Sequence, residues 1–146
     1  MRTFLVYLLT SLLMIILPSW ASPKKGSIHL TIEAFKSNKG KVLVAIYNSA
    51  QAYLDEEKAL LKKIIHIQNQ KATVKLDELP FGEYALVCFH DENSNQKLDK
   101  SMMGIPKEGF GFSNNAKPVF GPPSFAKCRI QLNQSEYYTA IKLMYF

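Results

Sequence analysis

Apolar and polar residues alternate along most of this chain. From Ser27 to Phe35, Ile28, Leu30, Ile32 and Ala34 fall on one side and His29, Thr31 and Glu33 on the other. That two-residue period belongs to a strand with one wet face. Asn38-Lys39-Gly40 supplies turn chemistry, and Lys41 to Tyr47 follows as a second strand with Val42, Val44 and Ile46 on one face, so the first two strands are expected to form a hairpin. Ser49 to Lys63 changes character. Ser49 could cap a helix, the acids Asp55, Glu56 and Glu57 suit its first turns, and Tyr53, Leu54, Leu61 and Ile64 give a ragged apolar stripe. One short helix is predicted there. Strand character returns at Ile64–Ile67, a turn is expected at Asn69-Gln70, and alternation resumes at Ala72–Leu76. After a break at Leu79–Gly82 come Glu83–His90, then Ala126–Leu132 and Tyr137–Tyr145.

About seven short strands with at most one helix favour an all-β antiparallel sandwich, Greek-key or prealbumin-like, over a parallel sheet, which needs a helix at each crossover. One stretch resists the pattern. Asp91 to Ser124 has little strand or helix period, yet Met102, Met103, Ile105, Phe110, Phe112, Val119 and Phe120 make it too apolar for disorder. A loop of that length in a compact domain is functional in most cases, so an ordered excursion is expected, packed by its own aromatics.

The first twenty-one residues read as targeting rather than fold. Arg2 precedes an apolar run from Phe4 to Leu17, Pro18 ends it, and Ser19-Trp20-Ala21 offers small residues for cleavage, the layout of a secretory signal. The run is shorter than the roughly 20 residues a spanning helix needs. Domains are therefore expected at 1–21 (signal peptide) and 22–146 (β-sandwich), and the protein in the periplasm or outside the cell. The whole-chain charge of +6 loses Arg2 on cleavage, leaving +5 spread along the sequence. No basic stripe interleaved with aromatics is present, which argues against nucleic acid. Cys88 and Cys128 are a disulfide candidate in an oxidising compartment, or two small buried hydrophobes.

Chemistry concentrates where the excursion begins. Oxygen side chains recur at Asp91, Asn93, Asn95 and Asp99, the 1, 3, 5, 9 spacing of an EF-hand-type calcium loop. Leu98 stands at the apolar position 8, and Lys97 at position 7 contributes only its carbonyl. Position 6, usually Gly, is Gln96, and position 12, usually Glu, is Met102; Glu108 is the candidate replacement ligand. The competing reading is a metal-free loop tied by Asx-turns. Further on, Gly109 and Gly111 allow unusual backbone angles. Phe110 and Phe112 either pack beneath the loop or stand out as a binding face together with Asn114 and Asn115.

Leu79-Pro80-Phe81-Gly82-Glu83-Tyr84 resembles the L-P-x-G-x-Y strand opening of transthyretin-like and other prealbumin-type sandwiches. The longer series His90–Asp99, Gly104–Asn115 and Phe120–Phe125 resembles a family of small secreted bacterial proteins catalogued as a domain of unknown function. That resemblance implies an exported sandwich domain and no established activity. Three functions remain. The first is an exported cell-envelope binding module, its partner an envelope protein or a glycan, with a Ca²⁺ loop at 91–99. The second is a metal-dependent hydrolase around His90, Asp91, Glu92 and Glu108. The third is a purely structural envelope domain. No H-x-x-x-H or H-E-x-x-H spacing and no nucleophile elbow occurs, which favours binding over catalysis.

Overall fold

The computed structural model describes residues 24–146; the expected signal segment lies outside them. Eight strands form two sheets packed face to face. β1 (Lys25–Glu33), β4 (Ala72–Pro80) and β8 (Glu136–Lys142) make a three-stranded sheet in the order β4-β1-β8. β2 (Lys41–Tyr47), β3 (Leu61–Ile65), β5 (Gly82–Asp91) and β6 (Phe110–Phe112) make the second in the order β3-β2-β5-β6, with β7 (Ile130–Leu132) beside the start of β5. The fold is an all-β sandwich, as its alternation predicts. One pair, β1–β8, is parallel; its strands come from opposite ends of the described chain, and everything between them acts as the crossover that parallel pairing needs.

Between the sheets the inward sides of the strands meet. Ile28, Leu30 and Ile32 of β1, Val42, Val44 and Ile46 of β2, Leu86 and Cys88 of β5, and Ile141 of β8 are all buried there. The outer side of the three-stranded sheet is polar. His29 stacks on Tyr138, pairs with Glu136, and neighbours the Lys75–Asp77 ion pair.

Several local expectations change. β1 and β2 form no hairpin but lie in different sheets. Ala34 takes φ 65°, and Phe35 turns in to meet His90 edge-on, so the connection arches across the end of the sandwich. Its return depends on Gly40, at φ +66°, where a Cβ would overlap the Asp91 carbonyl. The helix expected over Ser49–Lys63 is absent. Ser49 Oγ accepts the Ala52 N–H and Leu54 takes φ 65°, which ends the turn. Asp55 then caps one turn of 3-10 helix, Glu56–Lys58. Leu61–Ile65 pairs with β2 instead, because the ragged stripe offered no helical face worth burying. Conversely, the strand expected from Ala126 opens as a helical turn, α1 (Phe125–Cys128). Phe125 and Cys128, three residues apart, can both face the same cluster only on a helix.

Gly109 and Gly111 are needed for space rather than for backbone angle. A Cβ at Gly109 would overlap the Tyr145 ring, and one at Gly111 would overlap Ile141 Cγ2. We predict that Gly111→Ala destabilises the fold by about 1–3 kcal/mol through overpacking. Denaturant unfolding reads it, and an unchanged midpoint would mean β6 does not pack this closely on β8.

Candidate functional site

The second sheet is apolar on both of its faces. On the side away from the sandwich core, the strand register lines up Ile64, Leu43, Phe89 and Phe110 in one row across β3, β2, β5 and β6. Ala45, Val87 and Phe112 form the next row, beside Lys62. At one end this outer face is covered by Tyr53 and by Phe125 and Cys128 of α1, over a buried Ala85. In the middle it is open. Leu43, Ala45, Val87 and Phe89 are half-buried floor residues of a groove of about 1060 Å³.

The excursion walls this groove. β6 splits it into two arms, because Phe110–Phe112 pairs with Val87–Phe89. Phe110 and Phe112 are buried and T-shaped to one another, and their rings also border the groove. Gly104 and Ile105 of the first arm and Val119 and Gly121 of the second line the same groove. The tips of the arms carry Met102 and Phe120, whose exposures of 107% and 104% are those of side chains touching nothing. Leaving a Met or Phe in water forgoes about 1.5–3 kcal/mol each relative to burial. Exposed apolar groups gathered at one place mark interaction sites.

The oxygen-rich loop at the root of the first arm is held from inside by two buried carboxylates. Asp91, 1% exposed, accepts the Asn95 N–H on one oxygen (3.0 Å) and the Gln96 N–H on the other (2.9 Å). This holds Gln96 at φ 61°, the left-handed geometry that Gly supplies elsewhere. Asn93 and Asn95 each accept the N–H two residues on, forming successive Asx-turns. Both amide NH₂ groups point at Asp99, with Asn93 Nδ2 at 2.7 Å. Lys97 directs its side chain to solvent.

Glu108 is not gathered with the other oxygens. It straddles the loop, accepting the Glu92 N–H (3.0 Å) and the Asp99 N–H (3.0 Å) on its two oxygens. Of the six expected ligands, then, Asp91, Asn93, Asn95 and Asp99 share one hydrogen-bonded loop, Glu108 braces that loop through its backbone, and the outward side chain of Lys97 is the arrangement expected of a residue offering only its carbonyl. Neither Asp91 nor Glu108 has a Lys or Arg partner among the described residues; each is satisfied instead by two backbone N–H groups. No three His, Cys, Asp or Glu side chains among the described residues converge as a metal centre.

The remaining candidates have structural posts. His90 is fully buried on the core side of β5. Its Nε2–H donates to the Lys39 carbonyl (2.7 Å), and its Nδ1 is hydrogen-bonded to the Tyr145 hydroxyl (2.8 Å). These partners hold the ring on the core side of the strand, pointing away from the groove. Asn114 and Asn115, expected as part of a binding face, spend their polar groups inward. Asn114 Nδ2 donates to the Lys127 and Arg129 carbonyls, and Asn115 Oδ1 accepts the Lys142 N–H. The disulfide is not formed. Cys88 and Cys128 are free, with Cys88 in the core between the sheets and Cys128 under the outer face, so β5 separates them. Burial pushes both thiols up, Cys88 the further.

Ser113, whose residue type suits a turn or a ligand-facing oxygen, also spends its hydroxyl inward. It is fully buried, accepts the Leu86 N–H and donates to the Cys128 carbonyl, tying β5 to α1.

These features define a class: an all-β sandwich domain whose second sheet carries a loop-walled apolar groove on its outer face. The family described as "Uncharacterized protein conserved in bacteria (DUF2141)" matches residues 30–139, and the chain belongs to that family. No curated protein and no solved structure matches significantly. No helix among the described residues is long and apolar enough to cross a membrane.

Replacing Glu108 by Ala would leave the Glu92 and Asp99 N–H groups without acceptors, a loss of about 1–3 kcal/mol. We predict that amide exchange at Glu92 and Asp99 accelerates well ahead of exchange in β2. Unchanged protection at these two amides would contradict the bracing role.

Proposed function

We propose that the protein is an exported binding module of the bacterial envelope that takes an apolar chain into the groove on the outer face of β2, β3 and β5. One observation carries the reading: Leu43, Ala45, Val87 and Phe89 form an uncovered apolar floor on a sheet whose other face already serves the core. A solvent-facing side of a sandwich ordinarily alternates to polar residues, as the outer side of β4-β1-β8 does. Ligand pockets have this character and this scale. The groove floor offers rings and aliphatic carbons, which suits an acyl chain or an apolar protein segment better than a glycan. The signal-like pattern of residues 1–21 supports export. The hydrolase reading needs a reachable His90, and the burial of that ring favours binding instead.

The loop at 91–99 supports a second element of the proposal, a Ca²⁺ ion held by Asp91, Asn93, Asn95 and Asp99. What favours it is the gathering of four oxygen-bearing side chains in a loop already curled by Asx-turns, with no Lys or Arg paired to Asp91 or Asp99 among the described residues. The two asparagine amides would rotate to offer oxygen in place of N–H, and Glu108 would remain the brace.

Two measurements test these elements separately. Binding of a fluorescent apolar probe, with displacement by a fatty acid, should weaken at least tenfold in Leu43→Lys and stay unchanged in Lys75→Ala on the polar sheet. Undetectable binding in the wild type, or equal binding in both variants, would overturn the groove reading. For the ion, free Ca²⁺ at ten times its Kd should stabilise the fold by about 1.4 kcal/mol. That amounts to a rise of a few degrees in Tm, lost in Asp99→Ala. No rise at millimolar Ca²⁺ would remove calcium from the account and leave the groove reading standing.

A further inference from the structure

The two arm tips share a design that the groove floor does not explain. In the first arm, Ser101 and Gly104 close a tight turn (Gly104 N to Ser101 O, 2.9 Å) that holds Met102 and Met103 at its apex. The Lys107 N–H bonds the Asp99 carbonyl, and Lys100 pairs with Pro106, so the turn stands on a short two-stranded stem. In the second arm, Pro118 and Pro122-Pro123 stiffen the chain around Val119 and Phe120. Both tips are therefore preorganised to present large apolar side chains to water.

Each tip is also flanked by cations. Lys100 and Lys107 bracket the methionines, and Lys117 precedes Val119. None of these three lysines has a carboxylate partner among the described residues. Both tips border one groove, whose lining includes Lys62, Lys63, Lys97 and Lys100 against the single acid Glu56. Apolar groups that project beyond a cationic rim match an anionic lipid bilayer. The side chains pass the headgroups into the acyl boundary, while the ammonium groups remain at the level of the phosphates. A globular protein partner would instead favour aromatic and Arg anchors at the centre with few lysines.

We infer that the protein docks reversibly on anionic phospholipid membranes through these two tips, Met102 and Met103 together with Val119 and Phe120 inserting and Lys100, Lys107 and Lys117 contacting phosphate. This goes beyond the groove reading and uses residues outside the groove floor. The docking would point the open end of the groove at the bilayer, where an acyl chain is available.

The test is co-sedimentation with vesicles of phosphatidylglycerol and phosphatidylethanolamine, beside vesicles of phosphatidylcholine alone. Every protein is expressed with its own N-terminal segment, so that processing is common to all. The wild type should sediment with the anionic vesicles, and half-molar salt should weaken this at least tenfold. The double variant Met102→Asp/Phe120→Asp should lose binding at least tenfold while keeping its Tm and its affinity for the soluble apolar probe. Lys100→Glu/Lys107→Glu/Lys117→Glu should abolish the preference for phosphatidylglycerol. Leu43→Lys, which disables the groove floor, should sediment like the wild type. The inference is overturned if the wild type fails to bind anionic vesicles, binds phosphatidylcholine equally well, or is indifferent to both tip variants. A Leu43→Lys protein that loses vesicle binding along with probe binding would also overturn it, because the contact would then lie in the groove.

Discussion

β5 is apolar on both of its sides, and most of this architecture follows from that constraint. Tyr84, Leu86 and Cys88 face the three-stranded sheet, while Ala85, Val87 and Phe89 face outward. β2 repeats the pattern with Val42, Val44 and Ile46 against Leu43 and Ala45. A central strand of this kind must be covered twice. The first cover is the sheet β4-β1-β8. The second is assembled piecemeal from the turn carrying Tyr53, from α1, from the Phe110 and Phe112 rings, and from the arms of the excursion. It is incomplete over Leu43, Ala45, Val87 and Phe89, and the groove lies there.

The excursion can serve as a wall because its root is rigid. Asp91 organises the turn from within, and Glu108 reaches back from the far side to hold Glu92 and Asp99. Two buried carboxylates, each accepting backbone N–H groups, set the direction in which the first arm leaves the sheet. The second arm is anchored differently, by Ser113, Asn114 and Asn115 tying β6 to β5, α1 and β8. Both ties consume polar side chains that, in the sequence alone, resemble ligand-binding groups.

How far the sequence disclosed this depends on the range of each interaction. Alternation located β1, β4 and β8 because period two is a local property of a half-buried strand, while β2 and β5 stood out as short apolar, strand-forming runs bounded by turn residues. β6 was hidden: two of the residues in Gly-Phe-Gly-Phe have no side chain to register, and their purpose is close approach to Tyr145 and Ile141, strands away. The expected β1–β2 hairpin gave way to an arch because Phe35 is worth more against His90 in the core than extended on an edge. The excursion was legible as ordered and as the place for a site. Its role as the partial lid of a second apolar face was not, since that needs the register of four strands. Glu108 stood out as a carboxylate near the loop, but only the fold shows it bonding N–H groups 9 and 16 residues away.

The central claim, that the outer face of the second sheet is the binding surface, is tested most directly by nuclear magnetic resonance mapping with a single-chain amphiphile titrated below its micelle concentration. The account predicts that shift changes concentrate at Leu43, Ala45, Ile64, Val87 and Phe89 and in the two arms, with β4, β1 and β8 unmoved. Changes centred on the polar face around His29, Lys75 and Tyr138, with the groove residues silent, would contradict it.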